Sequence, residues 1–264
     1  MTTLASGSKT FFSLFFLIVL SADTLADFTV PDTLDADFSL LENRPVRLAC
    51  NVFPPQKISL PSETTFPGYD IEIIQEAFLS QGLATEFSFF PWKRAYLLVE
   101  SGEFDALCSC SWRPERDKAF WYSEEMGNVS KGIFSIESQA FNALSDLRDH
   151  KVGVVSGYNL EEELKVAGIS DIQSVVSDTL LLNLLLYKRV EAIYSYENTV
   201  NSLLKVMSPR PRIMFRQIEN APYYLCISRA HKGGEALVGK FNSGLQKLRS
   251  EGRYQSIIQR YLGD

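Results

Sequence analysis

Histidine is nearly missing from this sequence: His150 and His231 are the only two in 264 residues, and they stand far apart. Zinc is held by Cys and His ligands that come in closely spaced pairs. The Cys-x-Cys of Cys108 and Cys110 has no second pair to complete such a set, so no metal site is expected. Positive charge is also short, with 26 Lys and Arg against 32 Asp and Glu for a net charge of −6. Binding to nucleic acid leans on basic surface, which argues against that partner class. Neither a Gly-rich phosphate loop nor a paired nucleophile and base is recognisable, so no cofactor and no catalytic residue is expected. Long apolar runs are equally scarce. FFSLFFLIVL, Phe11 to Leu20, falls well short of the roughly 20 residues that span a bilayer.

That run has another reading. Lys9 precedes it, and small residues follow in SADTLAD up to Ala26, the layout of a secretory signal peptide. No cysteine stands near its end, so a lipid-anchored form is not expected. Residues 1–26 are therefore read as a cleaved signal peptide, with a periplasmic mature protein beginning near Asp27. Residues 27–45 are acidic and weakly periodic, a segment outside the main fold. Export permits disulfides, yet Cys50, Cys108, Cys110 and Cys226 all lie in apolar, strand-like runs. Cys108 and Cys110 share one strand face and are badly placed to bridge each other. A bridge from Cys50 to either of them or to Cys226, and a set of buried free thiols, are both open readings.

From Val46 onward the pattern alternates. VRLACNVF reads as a strand and is followed by a loop rich in Pro, Ser and Thr up to Gly68. YDIEIIQEAFLSQG places Ile71, Ile74 and Phe78 on one helical face. ATEFSFFP reads as a strand, WKRAYLLVESG as a short helix and FDALCSCS as a third strand. The order recurs with GIFSI and KVGVVSG as strands, NLEEELKVAG as a helix capped by Asn159, and DIQSVVS as a strand. Asp178 is expected to cap TLLLNLLLYKR, a helix apolar on nearly every side and so buried. EAIYSY, ENTVNSLLKVM, PRIMFR and PYYLCIS then precede two amphipathic helices, the longer with a stripe of Leu237, Val238, Phe241, Leu245 and Leu248. Repeated β-α-β units predict an α/β fold with a mostly parallel sheet. Two units predict two lobes, with ligands at the carboxyl ends of strands.

An ordered set of motifs adds to this: GYDIEII (Gly68 to Ile74), PWKRAYLLVESGEFDA (Pro91 to Ala106), RPERDKAFWYSEE (Arg113 to Glu125), KVGVVSGY (Lys151 to Tyr158) and LLLYKRVEAIYSYEN (Leu184 to Asn198). Together they resemble the bacterial extracellular solute-binding proteins of family 3, over roughly Val46 to Leu262. The resemblance implies a two-lobed type II periplasmic binding fold with crossing hinge strands near Met126 to Ile136 and Met214 to Cys226. Lobe 1 would comprise residues 46–130 and 222–264, and lobe 2 residues 131–221.

The resemblance also implies a site. Arg116 matches the arginine that grips a ligand carboxylate, which a guanidinium suits through paired donors. The alternative is a surface ion pair with Glu115 or Asp117. Trp92 matches a position where an aromatic ring stacks on the ligand, and Phe53 would add a second wall; plain core packing is the competing reading for both. Ser109, Cys110, Ser111 and Trp112 would follow the strand into the cleft. Gly157 and Tyr158, ahead of a helix N-terminus, would face it from the other lobe. Tyr196 stands closest to the position of the family's amine-binding acid, Glu197 beside it would serve if the register slips by one, and Arg113 replaces a Thr or Ser, adding positive charge near the pocket. Those two departures allow a more acidic or an amine-free ligand.

The function implied is capture of a small polar organic solute, an amino acid among the candidates, by a monomer that delivers it to an ABC permease. Two alternatives stand beside it: a ligand-sensing module for a membrane receptor, and a periplasmic dehydratase-like enzyme on the same fold.

Overall fold

The computed structural model describes residues 44–59, 66–136 and 141–263. The signal segment, and all of the acidic segment before Arg44, lie outside the described residues. The first strand, β1 (Val46–Cys50), is buried almost throughout. It pairs in parallel with β2 (Thr85–Phe89) on one side and β3 (Ala106–Cys110) on the other. Between β1 and β2 runs α1 (Tyr69–Leu79), which buries Ile71, Ile74 and Phe78 as the spacing predicts, with Ile73 and Ala77 beside them. Helix α2 (Trp92–Glu100) starts directly after Pro91, whose fixed φ suits a helix entry, and buries Trp92, Ala95 and Val99.

In the middle of the sheet, runs that read separately by local pattern join into the crossing strands that the resemblance implies, and these are longer than expected. GIFSI is the tail of one long strand, β4 (Phe120–Ile136), and PRIMFR and PYYLCIS merge into another, β8 (Ile213–Ser228). The two run antiparallel from Phe120 opposite Ser228 to Ile136 opposite Ile213. Pro222 reads as a strand breaker because it has no N–H for the ladder. Here it lies opposite Asn128 in a stretch flanked by register shifts, so the ladder continues past it. Gly132 permits the closest approach, since a Cβ there would stand 2.2 Å from the Arg216 carbonyl oxygen.

The remaining elements are β5 (Val152–Val155), α3 (Asn159–Val166), β6 (Ile172–Val175), α4 (Asp178–Leu186), β7 (Ala192–Tyr196), α5 (Glu197–Lys205), α6 (Gly234–Ser250) and α7 (Arg253–Leu262). Strand order across the sheet is β2-β1-β3-β8-β4-β7-β5-β6. The outer triplets are parallel and the central pairings antiparallel, so the sheet is mixed rather than mostly parallel. Two lobes follow: β1 to β3 with α1, α2, α6 and α7 at one end, β5 to β7 with α3 to α5 at the other, and β4 and β8 running through both. Helix α6 packs on α1 of the first lobe. Gly244 makes this contact close, since a Cβ there would lie 2.1 Å from the Ala77 carbonyl oxygen of α1.

Two local expectations change. Ser177, not Asp178, caps α4 by accepting the Leu180 N–H at 3.3 Å, and Asn159 is the first helical residue of α3 rather than its cap. Both side chains are turned to other partners. Helix α4 buries only the face of Leu181, Leu182 and Leu185, leaving Leu180 47% exposed. The cysteine question is settled as two bridges, Cys50–Cys108 and Cys110–Cys226, with Cα separations of 5.1 and 6.1 Å. Cys108 and Cys110 turn to opposite neighbours of β3, tying it to β1 and to β8.

Candidate ligand-binding cleft

After β1 the chain turns back on itself. Phe53 and Lys57 exchange backbone hydrogen bonds of 2.9 and 2.8 Å across Pro54, Pro55 and Gln56. This small loop lines one side of a cavity at the seam between the lobes. Trp92, from the start of α2, and Ser109, Cys110 and Ser111, from the end of β3, continue the first-lobe wall; Tyr158, Asn159 and Tyr196 supply the second-lobe wall.

Four rings form the apolar part. Phe53 meets Tyr196 edge-on at 5.2 Å between centroids and Tyr158 at 6.4 Å, while Tyr158 lies 5.7 Å from Tyr196 and 5.9 Å from Trp92. Such edge-to-face contacts are favourable for aromatic quadrupoles. Hydrogen bonds cross the seam beside them. The Trp92 indole N–H donates to the Gly157 carbonyl at 2.8 Å, and the Asn51 amide donates to the Tyr158 hydroxyl at 2.9 Å. The Ser111 hydroxyl reaches Asn159 Oδ1 at 3.3 Å, which also accepts from Tyr196 at 2.7 Å. The lobes are therefore drawn together over the cavity.

The charged groups are arranged differently from the expectation. Arg116 is buried, ends a short 3₁₀ turn from Pro114, and does not line the cavity. It donates to the Ser111 carbonyl at 3.1 Å and lies over Trp92 and Tyr96 at 5.6 and 5.7 Å. It forms no ion pair with Glu115 or Asp117. Lys57 does line the cavity. It is 3% exposed, donates to the Ser109 hydroxyl at 2.7 Å and stands 5.0 Å over the Phe53 ring. Burial pulls its ammonium down to about 8, with Asp70 and Asp178 opposing. Burial lifts the Asp70 carboxyl to about 6 against the pull of Lys57 and the Tyr223 hydroxyl, which donates at 2.8 Å. Asp178 is likewise raised to about 6 by burial, while Tyr158 and Ser195 donate to it at 3.0 and 3.1 Å.

A second groove adjoins the first, sharing Ser111 and Asn159 and carrying Trp112, which is 51% exposed. Glu163 of α3 is its centre. It pairs with Arg113 across the seam, accepts from Lys131 Nζ with both oxygens at 2.7 and 2.8 Å, and accepts from Tyr194 and Asn159 at 2.8 Å each. Burial would raise Glu163, but these partners outweigh it and hold its carboxyl below the usual range. Arg113 therefore adds no unmatched positive charge to the cavity, and the departure at that position says nothing about an acidic ligand.

Of the residues expected at the site, the fold brings Phe53, Trp92, Cys110, Ser111, Tyr158 and Tyr196 to one cavity. Cys110 is bridged to Cys226, which leaves only its backbone for a ligand. Gly157 and Arg116 border the cavity through Trp92, and Trp112 faces the adjoining groove. Glu197 opens α5 and belongs to neither wall. The sequence reading missed Asn51, Gln56, Lys57, Asp70 and Asn159. Lys57 and Gln56 fell in a stretch of turn residues, and Asp70 in a first helical turn where an acid serves the helix dipole. No local pattern separates such residues from solvated ones.

Known proteins match along most of this length. Residues 47–264 match the family model of bacterial extracellular solute-binding proteins, family 3. A Haemophilus influenzae protein named "Probable amino-acid ABC transporter-binding protein" is 27% identical over 208 residues, 74% of this chain and 76% of its own. The L-cystine-binding protein TcyA of Bacillus subtilis is 21% identical over 203 residues, 75% and 73% of the two chains. Among solved structures, an ancestral arginine-binding protein bound to arginine superposes with a TM-score of 0.74 at 21% identity, covering 83% of this chain and 98% of that one. A histidine kinase sensor domain with similarity to periplasmic binding proteins gives 0.76 at 21% identity, covering 83% and 96%. With the mixed sheet, the two long crossing strands and the seam cavity, these matches make the chain a member of the bacterial extracellular solute-binding proteins of family 3.

Proposed function

We propose that this protein is a periplasmic binding protein that captures an amino acid between its lobes and delivers it to an ABC importer. The observation that carries the reading is the seam cavity itself, walled by rings and polar groups of both lobes and bridged by hydrogen bonds such as Trp92 to Gly157. A ligand that touches both walls stabilises the closed form over the open one by its differential contacts. The bodies that move in this reading are residues 46–130 with 222–264 against residues 131–221, hinged on β4 and β8. Phe53, Trp92, Tyr158 and Tyr196 cover the ligand's apolar surface, while Ser111 and the backbone at Cys110 hydrogen-bond it. Arg116 holds Ser111 and Trp92 in place from behind. The protein acts as an exported monomer after removal of residues 1–26, and does not alter its ligand.

The test is a thermal-shift and calorimetric screen of amino acids, since a ligand that prefers the native state raises the melting temperature. Small-angle scattering with and without a binding solute should show compaction; no ligand-dependent stabilisation across the amino acids would refute the reading. A sensing role is the second reading, favoured by the likeness to a kinase sensor domain. Permease and ATPase genes beside this one would support import, and a histidine kinase gene would support sensing. A dehydratase would consume its ligand, so recovery of the solute unchanged after incubation separates binding from catalysis.

A further inference from the structure

The first-lobe side of the cavity carries polar groups that its own neighbours do not satisfy. Gln56 is 1% exposed and lines the cavity, yet neither atom of its side-chain amide has a hydrogen-bond partner. A buried amide left in that condition is costly and rare. Asp70, also 1% exposed, accepts at Oδ1 from the Tyr223 hydroxyl and leaves Oδ2 without a partner in hydrogen-bonding geometry, although the Ser109 hydroxyl is near enough to pull its pKa down. Lys57 has three N–H donors, of which Ser109 takes one. Lys57 and Asp70 form no direct ion pair, so a buried cation and a buried anion border one cavity with room between them.

We infer that Gln56, Lys57 and Asp70 form a subsite for a zwitterionic amino-carboxylate group. Lys57 and the Gln56 amide N–H take the carboxylate, and Asp70 Oδ2 and the Gln56 amide oxygen take the ammonium. The inference rests on the solute-binding reading and names the headgroup that this end of the cavity selects. A simple amine would leave Lys57 unmatched, and a simple carboxylate would leave Asp70 unmatched. A carboxamide would satisfy the hydrogen bonds but neither charge. Only a group with both charges side by side answers all three residues. The charge states fit near neutral pH, where Asp70 with a pKa of about 6 is mostly ionised and Lys57 with one of about 8 is mostly protonated.

The test takes L-alanine, L-glutamine and L-phenylalanine with the amine and the carboxylic acid that match each side chain, and measures binding by calorimetry at pH 7. At least one amino acid should bind the unaltered protein, with its amine and acid analogues about tenfold or more weaker. Lys57→Met should lower affinity for that amino acid about tenfold while leaving affinity for its amine within about twofold. Gln56→Leu removes a buried amide that has no partner, so the ligand-free melting temperature should hold or rise while binding weakens. That pairing separates a ligand contact from a folding role. Unchanged amino-acid affinity in both variants, or analogues that bind as well as the amino acid, would overturn the subsite and leave the solute-binding reading intact. If no amino acid binds, the subsite and the amino-acid reading fail together, whereas an amino acid that binds with unchanged affinity in both variants sinks the subsite alone.

Discussion

Glu163→Gln is the most demanding substitution to reason through, because one carboxylate serves both the second lobe and the seam. Glu163 accepts from Lys131, Arg113, Tyr194 and Asn159, and its side chain is 18% exposed against 4% for Lys131. At an effective dielectric constant of about 20, unit charges about 4 Å apart interact by about 4 kcal/mol. Removing one member of a buried pair costs about 3–5 kcal/mol. Lys131 keeps Glu219 at 2.8 Å, but that carboxylate is 57% exposed and screened by water. The lower end applies, so Glu163→Gln should destabilise the protein by about 3 kcal/mol. The assay is urea unfolding at pH 7 for the unaltered protein, Glu163→Gln, Lys131→Met and the double variant. The double variant should lose less than the sum, because it strands no buried charge. Glu163 is held below the usual carboxylate range, so its contribution is present above that range and is lost as pH falls through the lowered value. Glu163→Gln should therefore flatten the acid limb of the stability curve. A loss under about 1 kcal/mol, or simple additivity with Lys131→Met, would refute the reasoning.

Trp92→Phe keeps a ring in the wall and deletes the indole donor to Gly157. At about 1 kcal/mol for such a bond, the closed form should lose about fivefold against the open one, read as about fivefold weaker binding of the solute that the unaltered protein captures. Reducing the two disulfides, with sequence separations of 58 and 116 residues, should lower the unfolding free energy by about 4–5 kcal/mol for each on the loop-entropy relation, measured by urea unfolding with and without reductant. Asp105 is fully buried. Burial alone would raise its carboxyl, but Arg44, His231 and the Arg47 N–H hold it far below its ordinary value. Its contribution is present above the ordinary carboxylate range and fades as pH falls toward the lowered value. Asp105→Asn should therefore lose most stability at neutral pH and little near pH 2, measured by thermal unfolding across that window.

Much of the outline was legible because the hydrophobic period is written locally. The apolar face of α1 and the runs of β1, β3, β5 and β7 follow from side-chain spacing alone, as do the two amphipathic C-terminal helices. The resemblance also placed Phe53, Trp92, Ser111, Tyr158 and Tyr196 at a cleft, and they meet in one cavity. The continuity of β4 and β8 was not legible in the local pattern, where PRIMFR and PYYLCIS read as separate runs, and came instead from the resemblance, which implied crossing strands near Met126 to Ile136 and Met214 to Cys226. Nor was the capping of α4. Ser177 and Asp178 are both good caps on paper, and only Tyr158 and Ser195 across the lobe draw the Asp178 carboxylate inward.

The sequence by itself determined an α/β chain built from two successive β-α-β units, and a cluster of rings and hydroxyls at strand ends. The units follow from periodicity and turn chemistry, which act over a few residues, and the cluster follows from the resemblance to the family. The tertiary structure alone decided the pairing of the cysteines and the partners of each buried charge. Arg113 lies against Glu163, Arg116 over Trp92, and Lys57 and Asp70 border one cavity from either side of α1's entry loop. A charged side chain carries the same formal charge wherever it lies. Whether it is solvated, neutralised or held ready for a ligand depends on groups tens of residues away, which only folding brings within a few ångströms.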